Sequence, residues 1–200
     1  CDVNSNVSAH YFIKKNGEIL NLVPDLYKAW HAGKSNWGKY KSLNKSSIGI
    51  EIHNSGHENK YENYTINQIN ALIRLLKILI TNYNINKKNI LGHSDIAPRR
   101  KQDPGEKFPW KKLSKLNLTF EHNLNDKKIK KFRFIKINEI EKKNFFQNLH
   151  KYGYNKIKNI KKSTSNKILT QAFQRRFRQS LINGIPDKEC LVISKNLLKS

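Results

Sequence analysis

An α/β fold with a small helical region behind it is what the amino-acid sequence predicts, on three observations. Apolar and polar residues alternate on both sides of Asn16-Gly17 and again across residues 47–53, the period-two signature of half-buried strands. Between residues 66 and 83 the apolar residues recur at helical spacing instead. After Leu113 the composition turns basic, and the later apolar residues fall in helix-like groups. A chain of 200 residues with 37% hydrophobic content can bury a core, which excludes the disordered class.

Residues 10–15 and 18–23 read as two antiparallel strands, because Asn-Gly is the pair that best tolerates positive φ at both centres of a tight hairpin turn. Residues 24–46 are polar and glycine-bearing, with Trp30, His31, Trp37 and Tyr40 spread through them, which suits a long groove-lining loop. Aromatic faces and a histidine donor fit a glycan-peptide ligand; a half-buried structural histidine is the alternative for His31. Across residues 47–53, Ile48, Ile50 and Ile52 share one face and Ser47, Gly49, Glu51 and His53 the other, so Glu51 points away from the apolar core. Thr65 is a fitting N-cap for a helix ending near Tyr83, with Ile66, Ile69, Leu72, Ile73, Leu76, Leu79, Ile80 and Tyr83 as its packing stripe.

Residues 88–91 read as a short strand that delivers His93 to a sheet end, where loops commonly host chemistry. Residues 114–137 carry Lys127-Lys128 and Lys130-Lys131 and read as a basic linker, with one strand around Phe132, Phe134 and Ile135. Helical groups follow from residue 138. Phe145, Phe146 and Leu149 lead into Tyr152-Gly153-Tyr154; Ile168, Leu169, Ala172, Phe173 and Phe177 come next; Leu191 and Leu197 follow Asn183-Gly184.

The stretch from Gly92 to Gly105 gathers His93, Lys101 and Asp103 on one proline-punctuated loop. Imidazole and carboxylate are both good Zn²⁺ ligands, and an open metal position leaves room for a bound water acidic enough to attack a carbonyl. Lys101, two residues before Asp103, would stabilise the oxyanion as it forms. A plain Asp-Pro-Gly turn with a structural histidine fits the same spacing, since no dense ligand signature such as His-Glu-x-x-His is present.

The loop is not alone. Val7-Ser8-Ala9-His10-Tyr11-Phe12-Ile13, Ala29-Trp30-His31-Ala32-Gly33, Ser47-Ile48-Gly49-Ile50-Glu51 and the Gly92 loop occur in the order found in zinc-dependent N-acetylmuramoyl-L-alanine amidases of the amidase-2 type. The chain resembles that family over residues 1–113, and Phe108-Pro109-Trp110 closes the resemblance. It implies a mixed central sheet flanked by helices, with the metal in a groove on one side. It also implies hydrolysis of the amide between the lactyl group of N-acetylmuramic acid and the L-alanine of the peptide stem. Residue by residue, the resemblance makes His93 and Asp103 zinc ligands, Glu51 the general base and Lys101 the transition-state stabiliser; Trp30, His31 and His10 are the expected substrate-side residues. The family places a further ligand histidine on a strand upstream of the Val-Ser-Ala-His segment, so the chain is expected to lack its first strand and that ligand. His53, on the face of Glu51, is the other candidate. Residues 138–200, through Thr170-Gln171-Ala172-Phe173-Gln174-Arg175-Arg176-Phe177 with Gly184 and Asp187, resemble the small three-helix peptidoglycan-binding domain often joined to such amidases. A helical cap on the catalytic domain is the alternative.

The formal charge is +24, with 32 Lys and 7 Arg against 15 acidic residues. Clustered cations would suggest nucleic acid, but these are scattered from end to end and accompany abundant Asn and Ile, as in compositional drift on a solvated surface. Such a surface also favours anionic envelope polymers and lipids. The partner that the resemblance implies is peptidoglycan or a muropeptide, with no nucleic acid, for a monomer in the periplasm or cell envelope or, alternatively, the cytoplasm. A catalytically inactive peptidoglycan-binding protein is the competing function, and a basic nucleic-acid-binding protein a remote one. Cys1 and Cys190 make no metal or redox motif, and sequence leaves their pairing open. Residues 72–80 are apolar but interrupted by Arg74 and Lys77, so no membrane span is expected.

Overall fold

The computed structural model describes residues 7–199; Cys1, and with it any Cys1–Cys190 pairing, lies outside the described residues. In chain order the elements are β1 (Tyr11–Ile13), β2 (Ile19–Asn21), β3 (Asn36–Trp37), β4 (Tyr40–Lys41), β5 (Ile50–Ile52), α1 (Ile66–Tyr83), α2 (His93–Ile96), α3 (Trp110–Lys115), α4 (Asp126–Lys130), α5 (Glu139–Tyr152), α6 (Lys162–Phe177) and α7 (Lys188–Leu197). No helix among the described residues is long and apolar enough to cross a membrane. The chain folds as two compact units. One takes residues up to Ser35, Tyr40–Ile90 and Lys107–Phe120; the other takes Asn36–Lys39, Leu91–Glu106 and the chain from Glu121 onward.

The first unit holds a three-stranded sheet in the order β2-β1-β5, antiparallel between β1 and β2 and parallel between β1 and β5, which is the expected mixed sheet. Ile13 pairs with Ile52 in register and lies fully buried in a core with Leu72, Leu75, Leu76, Leu79, Trp110 and Leu113. The middle of the stripe foreseen on α1, Leu72, Leu76 and Leu79 with Ile73 and Ile80 beside them, packs into this core, joined by Ala71 and Leu75; its ends, Ile66 and Tyr83, are exposed because they lie beyond the short strands. Thr65 caps α1 through a reciprocal box: its hydroxyl accepts from the Gln68 N–H at 3.1 Å, and the Gln68 amide oxygen accepts from the Thr65 N–H at 3.0 Å. The other end of the Gln68 amide donates to the His53 carbonyl at 2.7 Å, so the helix start is tied to the end of β5.

Three local expectations are corrected. The β1–β2 connection is a three-residue loop closed by the Lys14 N–H donating to Glu18 O at 2.9 Å, and only Gly17, at φ +87°, takes positive φ. Asn16 instead uses its side-chain oxygen to accept from the Glu18 N–H, an Asx turn that the strands accommodate. Residues 88–91 form no strand. The Asn86 side chain captures the Lys88 N–H and winds Lys87–Asn89 into a 3₁₀ turn. Nor does a strand form in residues 114–137: Asn125 caps α4, and Phe134 stands at φ +66° with its N–H donated to Asp187 Oδ2.

The second unit gathers α5, α6 and α7 around Phe145, Leu149, Leu169, Phe173, Phe177, Leu191, Ile193 and Leu197, all essentially inaccessible. Phe145 and Phe173 meet edge to face at 5.2 Å. Beside this apolar centre lies a buried ionic network. Arg178 Nη1 donates to Asp187 Oδ2 at 2.5 Å and faces Glu189 Oε2 at 3.5 Å, while Arg133 makes a forked pair with Glu189 at 2.7 and 2.9 Å. Asp187 also caps α7 through Cys190 N.

Removing one partner of such a network strands the other charge away from water. Arg178→Met is therefore expected to destabilise the second unit by about 3 kcal/mol, read by urea unfolding followed by circular dichroism. Burial also pushes the Cys190 thiol up to about 12, so the thiol stays protonated at pH 8. Iodoacetamide at that pH is expected to leave Cys190 unmodified in the native protein and to modify it once denaturant is added, as read by peptide mass mapping.

Candidate active site

In the first unit, the loop that follows β2 returns to the sheet through backbone and histidine contacts. His10 is 1% exposed, and its ring bridges two backbone groups. Nδ1 accepts from the Gly49 N–H at 3.0 Å, which places the ring proton on Nε2, 3.0 Å from the Tyr27 carbonyl that accepts it. Both nitrogens of His10 are thus committed within the fold. His31 packs edge-on against His10 at 5.5 Å and directs Nε2 to the Ser47 carbonyl at 3.2 Å. Trp30 is 54% exposed, its backbone N–H donates to Ser8 Oγ at 2.8 Å, and the Lys28 ammonium sits 3.5 Å above its ring. Glu51 stands exposed in the middle of β5 opposite Phe12, and His53 follows two residues on, exposed, with its ring edge-on to Phe12 at 6.4 Å.

In the second unit the loop collects its own donors. Gly92 is the N-cap of the four-residue α2 and His93 its first residue. The His93 Nδ1 and Asp103 Oδ2 atoms lie 3.2 Å apart, and the Ser94 N–H donates to the Asp103 carbonyl at 2.9 Å. Two donors bound tetrahedrally to one Zn²⁺ at ordinary lengths sit about 3.4 Å apart, close to the separation of this pair. Desolvation raises the Asp103 carboxyl, but the hydrogen bond and charge of His93 outweigh it and, with Lys101, hold it below its ordinary value. That favours the ionised form a metal requires. Lys101 is exposed and anchored by its N–H to the Ala97 carbonyl at 3.1 Å. Among the described residues no three His, Cys, Asp or Glu side chains gather as a metal cage, so His93 and Asp103 stand as a two-donor pair.

Residues 1–106 match the family described as N-acetylmuramoyl-L-alanine amidase. The chain belongs to this family. The N-acetylmuramoyl-L-alanine amidase AmiD of Escherichia coli K12 is 33% identical over 98% of this chain and 75% of its own length. The 1,6-anhydro-N-acetylmuramyl-L-alanine amidase AmpD of Citrobacter freundii is 41% identical over 55% of this chain and 57% of its own length. Among solved structures, E. coli AmiD in complex with anhydro-N-acetylmuramic acid-L-Ala-D-gamma-Glu-L-Lys superposes with a TM-score of 0.85 at 33% identity, covering 98% of this chain and 80% of that one. AMPDH3 of Pseudomonas aeruginosa in complex with anhydromuramic pentapeptide gives 0.83 at 31% identity, covering 96% and 82%. The α/β fold with a mixed sheet and flanking helices is the fold of this amidase family.

Sequence reasoning passed over one participant in each unit. Gly49 stands in the sequence as a strand-face and motif position with no role of its own, yet its N–H fixes the His10 tautomer, and a Cβ there would lie 2.2 Å from His31 Cγ. Asp95 was unremarked within the loop, yet it is 2% exposed and caps the turn that carries His93. An aspartate three residues after a glycine that opens a helix was the available signal. Gly49→Ala is expected to displace the His31 ring and to cost about 1–3 kcal/mol of stability, measured by thermal unfolding with the imidazole NMR signals of His31 as the local readout.

Proposed function

We propose that this chain is a zinc-dependent N-acetylmuramoyl-L-alanine amidase that hydrolyses the amide between the lactyl group of N-acetylmuramic acid and L-alanine, in peptidoglycan or in soluble muropeptides. The observation that carries the reading is the 3.2 Å pairing of His93 with Asp103 inside the stretch that matches the family. The relatives add weight, two of them by structures whose ligands are anhydromuramyl peptides.

His93 and Asp103 would hold the zinc, which when bound supplies a Lewis acid and an acidified water. Glu51 accepts a proton from the attacking water and returns it to the departing amine of L-alanine. Lys101 sets its positive charge against the oxyanion that develops on the former carbonyl. Trp30 offers an aromatic face to the glycan-peptide, His31 follows it in the chain, and His10 packs against the His31 ring from within the fold. The basic residues 114–137 lead into residues 138–200, a peptidoglycan-binding region that keeps the enzyme on polymer. The chain acts as a monomer in the periplasm or cell envelope, with the cytoplasm as the alternative compartment.

The test is release of L-alanyl stem peptide from a purified anhydromuropeptide, with zinc measured in parallel. Chelation is expected to abolish release and added Zn²⁺ to restore it. Glu51→Ala should retain zinc while lowering turnover by about 10²–10⁴-fold. Unchanged turnover in that variant would remove Glu51 as the base. Sedimentation with peptidoglycan without cleavage at any zinc level would assign the chain to the inactive wall-binding class.

A further inference from the structure

The segment Tyr152-Gly153-Tyr154, at the end of α5, is not used by the chemistry above, yet it reaches the loop that carries His93. The Tyr154 hydroxyl donates to Asp95 Oδ1 at 2.6 Å, and the other oxygen, Asp95 Oδ2, accepts from the Gly92 N–H at 2.8 Å. Tyr154 and Asp95 are 1% and 2% exposed, so neither bond competes with bulk water. Arg176, 3% exposed on α6, adds its positive charge to the surroundings of the carboxylate. The bond to Gly92 spans the start of α2, whose first residue is His93 and whose second, Ser94, donates its N–H to the Asp103 carbonyl at 2.9 Å. One carboxylate therefore governs the turn that presents both donors.

Tyr154 is itself held in place. Its ring packs edge-on against Trp37 at 5.0 Å, and Trp37 meets Tyr152 at 5.8 Å. Gly153 lies between the two tyrosines at φ +143°, and a Cβ there would come within 2.5 Å of the Trp37 indole. The Gly38 N–H donates to the Gly153 carbonyl at 2.8 Å, closing the clamp from the other side.

The geometry points to Tyr154 and Asp95 as positioning residues for His93, through which the C-terminal helices form part of the scaffold of the metal-ligand loop as well as any polymer-binding surface. The inference rests on the amidase reading for its consequence in catalysis, although not for the coupling itself. A hydrogen-bonded carboxylate behind a ligand turn limits the directions the imidazole can take, and loss of such outer partners typically weakens metal binding by about 10–100-fold.

The experiment uses the full chain with Tyr154→Phe, which keeps the ring and removes the hydroxyl, and Asp95→Asn as a second variant. Zinc affinity is measured by competition with a chelator, amide exchange of Gly92 and Ser94 is followed in the metal-free protein, and exchange at Leu76 and Leu149 reports overall stability. Both variants are expected to bind zinc about tenfold more weakly and to exchange the Gly92 amide about tenfold faster, with Leu76 and Leu149 unchanged and kcat lowered more than KM is raised. Unaltered zinc affinity and Gly92 exchange would overturn the proposal. Faster exchange at Leu149 with zinc affinity intact would overturn it too, by making Tyr154 merely structural. Faster Gly92 exchange in a chain whose unsubstituted form takes up no zinc would uphold the coupling and fail the amidase reading instead.

Discussion

A four-residue helix has almost no stability of its own, because one turn fixes several backbone dihedrals for a single hydrogen bond. Yet α2 and the irregular backbone after it must hold a histidine and an aspartate at 3.2 Å. The constraint that makes this possible is the buried Asp95 carboxylate, bonded on one oxygen to the loop it stabilises and on the other to Tyr154. Burial raises the Asp95 carboxyl above its ordinary value, and the Arg176 charge with the Tyr154 and Gly92 hydrogen bonds offsets only part of that rise. The same burial lifts the Tyr154 hydroxyl well above its ordinary value, so it remains a donor throughout the physiological range. The family match ends at residue 106, whereas the partner of Asp95 lies near residue 150.

The first unit solves a different problem with a small sheet. Strands of three residues offer little pairing on their own, and their apolar face is stabilised by α1 and by Phe108, Trp110 and Leu113 from farther along the chain. Because side chains alternate, committing Ile50 and Ile52 to that core obliges Glu51 to face outward. Packing and chemistry are thus coupled in one strand. His10 and Gly49 extend the arrangement, since the glycine supplies both the N–H that orients His10 and the space that His31 occupies.

Charge is distributed unevenly between interior and surface. Only 15 acidic residues face 39 basic ones, and three of the acids, Asp95, Asp187 and Glu189, are buried with cations or hydrogen-bond donors around them. The remaining excess of lysine lies largely on the surface, where it raises the potential felt by an anionic polymer. Screening confines that attraction to roughly 8 Å at physiological ionic strength, so it strengthens contact without selecting a bond to cleave.

Local regularities were legible in the amino acids. Period two marked Glu51 and its neighbours as a strand, period 3.6 and Thr65 located α1, and the ordered motifs with His93 and Asp103 indicated the amidase family. Those features depend on near neighbours in the chain, which is why they could be read there. Competition between side chain and backbone was less visible: Asn16 and Asn86 each took a nearby N–H and replaced a tight turn and a strand by other turns. Tertiary structure alone decided the rest. The burial of His10, the cramped space at Gly49 and the bond from Tyr154 to Asp95, 59 residues away, arise from packing between distant segments, and no local period or propensity encodes which buried donor will meet which buried acceptor.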